Sequence, residues 1–340
     1  MQAVVCHEFG PPENLKREEV PDPVAGPGQV LIDVHASAAN FPDVLMLADQ
    51  YQFKPGLPFI PGGEVAGVVS ALGEGVEDGP AGLTLGGRVM ALTGTGGFAE
   101  KVAVPIRNVF AIPEGMDMAV ASGFPTAYGT TYHALVDRGA LQPGETLLVL
   151  GAAGGVGMAA VELGAALGAV VIAGASSPEK LAACVEHGAS MTIDYSKEDL
   201  RARVKELTAG QGADVVYDPV GADLAEPAFR SIAWNGRFLV IGFAGGHIPK
   251  LAMNLPLLKA ASVVGVYWGA FAGRESESNR ANMDALGRLF QEGKLRPVVS
   301  AVYPLERAAA ALEDLGQRRA VGKVVVVTET GAQEGRVGAR

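Results

Sequence analysis

The chain has 340 residues, with 27 basic against 37 acidic side chains and a formal charge of −10. Its length corresponds to about two domains, its 49% hydrophobic content supports large cores, and its acidic balance excludes nucleic-acid binding through a basic field. Glycine is abundant (46 residues), without a fixed period and interspersed with Val, Ala, Ile and Leu, which excludes both collagen and general disorder.

Residues 1–6 are a short apolar run. No basic segment leads into a long apolar core there, so no secretory signal is expected. Residues 29–36 alternate apolar and polar with period two, which predicts a half-buried strand. Residues 64–72 and 88–92 read the same way. The turn signals Gly26-Pro27-Gly28, Pro55-Gly56 and Pro61-Gly62-Gly63 separate them. Short strands with Gly/Pro punctuation predict a small barrel-like unit. After residue 122 the pattern changes. Apolar runs at 146–150, 170–173, 191–194, 215–218 and 237–241 alternate with helical patterns at 157–167, 178–187, 200–207 and 224–232. Ser177-Pro178 supplies a helix start. This alternation predicts a parallel sheet with helices on both faces. Between residues 146 and 178 the only charge is Glu162, which invites a membrane reading. The stretch divides into strand, turn and helix, so no span is expected. Residues 261–271 predict an edge strand able to pair with a second copy, or alternatively an interior strand. Residues 279–292 form an amphipathic helix stopped by Gly293, 305–315 an Ala-rich helix, and 323–328 a buried strand. The expected division is 1–122, 123–265, 266–328 returning to the first domain, and a flexible tail at 329–340.

The strongest motif is Gly151-Ala152-Ala153-Gly154-Gly155-Val156-Gly157, lying between an apolar strand and an apolar helix. Small residues let a pyrophosphate approach the backbone, and a helix start presents free N–H groups and a positive dipole end. A dinucleotide site for NAD carries an acid at the end of the second strand. Here that position reads Ala173-Gly174-Ala175-Ser176-Ser177. Ser176 and Lys180 suit a 2′-phosphate, which an acid would repel, so NADPH is expected rather than NADH. Tyr195, after the third strand, is a further candidate. Lys180 as a solvated helix residue and Tyr195 as a packed surface tyrosine are the alternatives. Gly242 and Phe243, just past the run 237–241, are also candidate cofactor positions.

Five histidines (His7, His35, His133, His187, His247) are scattered, and Cys6 and Cys184 are the only cysteines. No disulfide framework or zinc site is expected, and a reducing, cytoplasmic compartment fits. The segment Gly62-Gly63-Glu64-Val65-Ala66-Gly67, the glycine turn and their order resemble the medium-chain dehydrogenase/reductase superfamily over residues 1–328. The resemblance implies an α/β protein, a GroES-like β-barrel catalytic domain plus a Rossmann doubly wound parallel sheet. Zinc alcohol dehydrogenases of that superfamily have Gly-His-Glu where this chain has Gly62-Gly63-Glu64. They have a cysteine ligand where it reads Asn40-Phe41-Pro42-Asp43. The chain instead resembles the zinc-free quinone oxidoreductase branch at Asn40 to Asp43, at Tyr51, and at an apolar turn from Pro125 to Thr131 against the nicotinamide. Glu292 to Pro297 and Gly322-Lys323 match as well, with Lys323 a candidate cofactor residue. Leu45 departs from members that carry a second tyrosine.

Without a metal, an oxygen gaining negative charge needs hydrogen-bond donors. Asn40, Tyr51 and Thr126 can supply them, with Asp43 orienting Asn40 or capping a helix. Asn40, Asp43 and Tyr51 each also have a purely structural alternative. The implied activity is hydride transfer from NADPH to a small hydrophobic quinone, in a cleft between the two domains. The alternatives are a 2-enone or enoyl-thioester reductase, and an NADPH-binding protein with little turnover. The resemblance also implies a homodimer.

Overall fold

The structure, a computed structural model, describes residues 1–76 and 83–333. It divides into two compact units, Met1–Thr126 with Val298–Arg340, and Ala127–Pro297. In the first unit β1 (Gln2–Val5) pairs antiparallel with β2 (Lys16–Glu19). The long strand β3 (Gln29–Ala39) leads into helix α1 (Phe41–Leu47). There follow β4 (Glu64–Leu72), β5 (Arg88–Leu92), β6 (Lys101–Pro105) and β7 (Val109–Ala111). β3 pairs antiparallel with β4 and with β6, β4 with β5, and β5 with β7. The period-two pattern buries Val30, Ile32 and Val34 against Val65, Val69, Val89 and Val104 in one core.

Helix α2 (Met118–Tyr132) contains Pro125, and a π-helical stretch, His133–Arg138, continues it. The segment expected as an apolar turn at 125–131 is therefore helical. Proline removes one helical hydrogen bond without ending the helix where freed groups find other partners.

In the second unit β8 (Thr146–Val149), α3 (Gly155–Ala166), β9 (Val170–Ala175), α4 (Pro178–Glu186) and β10 (Met191–Asp194) alternate. Next come α5 (Leu200–Leu207), β11 (Ala213–Asp218), α6 (Ala225–Arg230), β12 (Ile232–Val240), α7 (Asn254–Lys259) and β13 (Ser262–Gly265). The six strands form a parallel sheet of order β10-β9-β8-β11-β12-β13. Winding reverses between β8 and β11, the switch point at whose carboxyl side such sheets bind ligands. Leu148, Ile172, Ile193, Val216, Phe229 and Phe238 fill its core.

Two boundaries move. The helix expected to reach residue 232 ends at Arg230, and Ile232 already belongs to β12. The run 261–271 is a strand only over Ser262–Gly265. Helix α8 (Trp268–Arg274) follows, because Trp268 and Phe271 sit one turn apart and are both buried. The Trp268 indole N–H donates to Asn279 Oδ1 at 3.1 Å, and the Phe271 ring stacks on His133 at 3.9 Å. Asn279 lies on α9 (Ser276–Gln291). Residues 266–297 thus group with the parallel-sheet unit.

The chain returns to the first unit with β14 (Val299–Pro304), α10 (Ala308–Gly316), β15 (Lys323–Val327) and α11 (Glu329–Gln333). β15 pairs parallel with β14 and antiparallel with β3, Val324 opposite Ala39. Residues 329–333, expected as part of a flexible tail, are helical, and 334–340 lie outside the described residues. No helix among the described residues is long and apolar enough to cross a membrane.

Candidate active site

The glycine turn stands at the carboxyl end of β8, next to the switch point. Gly151 adopts φ +56°, the left-handed region that favours glycine. A Cβ on Gly157 would lie 2.2 Å from Gly151 O and 2.9 Å from the Ala152 backbone, so only glycine lets the turn fold onto the helix. Ala152 N–H donates to Gly174 O at 3.0 Å and Gly154 N–H to Gly151 O at 2.9 Å, which fixes the loop. Gly154 is the extended residue before α3. The N–H groups of Gly155, Val156 and Gly157 therefore lack intrahelical acceptors and face outward from the helix start. Ala153 is buried, whereas Gly154, Gly155 and Val156 are half-exposed.

The sheet gathers the other cofactor candidates of this unit at the same strand ends. Ser176 directly follows β9, and Lys180 lies in the first turn of α4, whose start is capped by Ser177 Oγ. Tyr195 directly follows β10, and β9 and β10 pair with Asp194 opposite Ala175. The Tyr195 ring stands 3.3 Å from where a Gly174 Cβ would be. Asp194 is held below the usual carboxylate range chiefly by Ser196, and its charge also pairs with Lys197 at 3.2 Å. Gly242 and Phe243 follow β12, and Gly242 N–H reaches Asp218 O at 3.3 Å. Sequence reasoning missed Asp218. Its Oδ1 accepts the N–H groups of Val220 and Gly221, each at 2.8 Å, and shapes the loop beside Gly151. Burial pushes its pKa up against those two donors. An acid at a strand end followed by Pro-Val-Gly was the available signal.

In the first unit, Asn40, Asp43, Thr126 and Lys323 come together around a residue not anticipated as functional, Glu64. Glu64 opens β4 and is fully buried. Its Oε1 accepts Lys323 Nζ at 3.0 Å and Asn40 Nδ2 at 2.9 Å, and its Oε2 accepts the Thr126 N–H at 2.8 Å. Lys323 Nζ also donates to Asn40 Oδ1 at 2.6 Å and to Ala39 O at 3.5 Å. All three ammonium protons are thus engaged within this unit. The second Asn40 amide hydrogen goes to Ala38 O at 3.3 Å. Asn40, expected to donate to an acceptor molecule, has both hydrogens committed. The Thr126 hydroxyl, in contrast, has no protein partner among the described residues.

Asp43 caps the start of α1. Its Oδ2 accepts Asn40 N–H at 2.8 Å and its Oδ1 accepts Gly62 N–H at 3.2 Å. Burial pushes its carboxyl up to about 7, opposed by those two N–H groups and by Lys323. The structure thus places Asp43 as a cap and as an orienter of the Asn40 backbone. Tyr51 is half-buried against the core cluster of Met46, Leu47 and Phe59. Among the described residues, no three His, Cys, Asp or Glu side chains are grouped to hold a metal ion.

Comparison with known proteins agrees with this geometry. Residues 26–114 match the alcohol dehydrogenase GroES-like domain, and 155–286 match the zinc-binding dehydrogenase domain. The chain is 38% identical to the quinone oxidoreductase-like protein 2 homolog of Nematostella vectensis, covering 96% of this chain and 89% of that protein. The quinone oxidoreductase of Thermus thermophilus, solved alone and with NADPH, superposes with a TM-score of 0.82 at 35% identity, covering 96% and 100% of the two chains. The Escherichia coli quinone oxidoreductase complexed with NADPH gives a TM-score of 0.89 at 26% identity, with the same coverage. A GroES-like sheet, a parallel Rossmann sheet carrying the glycine turn, and relatives matching nearly end to end make the chain a member of the quinone oxidoreductase branch of the medium-chain dehydrogenase/reductase superfamily.

Proposed function

We propose that this oxidoreductase transfers hydride from NADPH to a quinone-type acceptor without zinc. The observation that carries the cofactor choice is the end of β9. It offers Ser176 rather than an acid, with Lys180 in the first turn of α4 and Tyr195 at the end of β10. A 2′-phosphate finds a cation and two hydroxyls there and no carboxylate at the ribose position. The glycine turn fits a pyrophosphate, because a Cβ on Gly157 would close it. Two solved relatives hold NADPH, which supports the same choice.

When bound, the cofactor supplies the hydride. The residues of this chain bind it, hold it in place and provide donors. Thr126 offers a hydroxyl with no competing partner among the described residues to the acceptor oxygen as that oxygen gains charge. Tyr51 is a second donor. A zinc ion does not fit the first unit. Gly63 stands where zinc relatives have a histidine ligand, and the Lys323 ammonium lies against Asn40 and Glu64 and would repel a second cation. The buried, unbridged Cys6 and Cys184 support a cytoplasmic setting. Strand β13, with Val263 half-exposed at the sheet edge, supports a homodimer.

The test is NADPH oxidation, followed by absorbance, against 1,4-benzoquinone, 9,10-phenanthrenequinone, a 2-alkenal and crotonyl-CoA, repeated with NADH and with a chelator. Quinone-dependent, chelator-insensitive loss of NADPH, with NADH much poorer, is the expected result. Turnover with only the alkenal or thioester would move the protein to the enoyl-reductase class. Tight NADPH binding with no turnover would leave a binding protein.

A further inference from the structure

We infer that Glu64 is a positioning residue of this site, a buried carboxylate that aims Asn40 and fixes Thr126, and that Lys323 serves Glu64 rather than the cofactor. The inference rests on the reading that the Thr126 hydroxyl faces the acceptor.

Glu64 collects three donors from three distant parts of the first unit: the residue before α1, the interior of α2 and the start of β15. The Thr126 contact depends on Pro125. Proline inside a helix disturbs the hydrogen-bond ladder around it, and the next N–H, that of Thr126, is taken by Glu64 Oε2. The backbone at Thr126 is thereby held by a carboxylate 62 residues earlier. Asn40 is aimed by charge. Its Oδ1 meets the Lys323 ammonium and its Nδ2 meets the Glu64 carboxylate, so a flipped amide would set N–H against N–H and oxygen against oxygen. Space is reserved for the lysine stem. A Cβ on Gly123 would lie 2.7 Å from Lys323 Cε and 3.1 Å from its Cγ.

Stability alone does not call for this arrangement. A buried ion pair is often no better than apolar groups of the same volume, because desolvation offsets the attraction. What the pair supplies is direction for the two residues it touches. With all its protons engaged inside the unit, Lys323 has none left for a phosphate.

Three variants test this: Glu64→Gln, Lys323→Met and the neutral double variant Glu64→Leu/Lys323→Met. The double leaves no unpaired buried charge and remains informative if a single variant fails to fold. The readouts are thermal unfolding, NADPH affinity by fluorescence titration, kcat and KM for 1,4-benzoquinone, and amide hydrogen exchange at Thr126. In every folded variant, kcat/KM for the quinone is expected to fall by about tenfold or more, non-additively in the double, because the residues act as one unit. NADPH affinity should stay within about twofold, a difference under about 0.5 kcal/mol. Exchange at Thr126 should speed up in the two Glu64 variants. A folded double variant with kcat, KM and Thr126 exchange like the parent would overturn the inference. So would a large loss of NADPH affinity in Lys323→Met, which would return that lysine to the cofactor. Exchange is read with or without turnover. A parent that oxidises no NADPH with any of the acceptors above would defeat the functional reading, and the Thr126 exchange would still decide whether Glu64 holds it.

Discussion

Asp43 sits among partners that act on its proton in opposite directions. Burial favours the neutral acid, while two backbone N–H groups and Lys323 favour the anion, and burial prevails to about pH 7. A carboxyl with a raised folded-state pKa contributes stability below its unfolded value, near 4, and loses it as pH rises through 7. Asp43→Asn is therefore expected to be less stable than the parent at pH 5, because its Nδ2 replaces one of the two oxygens that accept an N–H and faces that donor instead. That gap should narrow by about 2–3 kcal/mol at pH 8. Urea unfolding of both proteins at the two pH values measures it, and a gap independent of pH would contradict the assignment. At this scale, sequence reading succeeded where the partner is near. Asp43 follows Asn40 by three residues, the spacing of a helix cap. It failed for Asn40, whose role changes from donor to held group because of Lys323, 283 positions away. No local pattern announces such a partner.

Among the elements, the glycine turn was fully legible, since strand, turn and helix follow one another within about twenty residues. The buried face of α3 was not. Glu162, the lone charge between residues 146 and 178, joins three other segments of the second unit. It accepts the Tyr128 hydroxyl at 2.7 Å and the Arg296 N–H at 3.0 Å, and it meets His187 at the end of α4. Burial first, and then Glu162, raises the Tyr128 phenol well above its ordinary pKa. Glu162→Ala leaves these donors without an acceptor and should cost about 3–5 kcal/mol, at about 1–3 for each stranded buried group. Glu162→Leu combined with Tyr128→Phe removes both sides of one contact and should recover part of the loss. Equal destabilisation of the single and double variants in urea would show that the carboxylate is not a hub. Pro125 explains the other miss, because a proline in a short apolar segment reads as a turn, whereas here the helix continues and the Thr126 N–H finds its acceptor far away in sequence.

For the whole molecule, β–α alternation was enough to foresee the parallel sheet, and the family resemblance its partner unit. The grouping of residues 266–297 was not visible, because it depends on Trp268 packing against Gly129. The exposed edge at β13 leads to a third prediction. Val263→Lys should shift the protein from dimer to monomer in light scattering while leaving its unfolding midpoint nearly unchanged, and a parent that is monomeric throughout would remove the homodimer. The seven-stranded sheet also has a temporal side. Its strand β15 lies between β14 and β3, so residues 36–39 of β3, beyond the part paired with β6, have no neighbour on that flank until the last part of the chain exists. Translation at about 5–20 residues per second separates Thr126 from Lys323 by roughly 10–40 seconds. During that interval the nascent first unit carries an open strand edge and a Glu64 without its counter-ion. The second unit is synthesised meanwhile, so the ribosome delivers the missing strand only after the parallel sheet is complete. A chain ending before residue 298 would keep that edge permanently and should be a substrate for chaperones and proteases rather than a smaller enzyme.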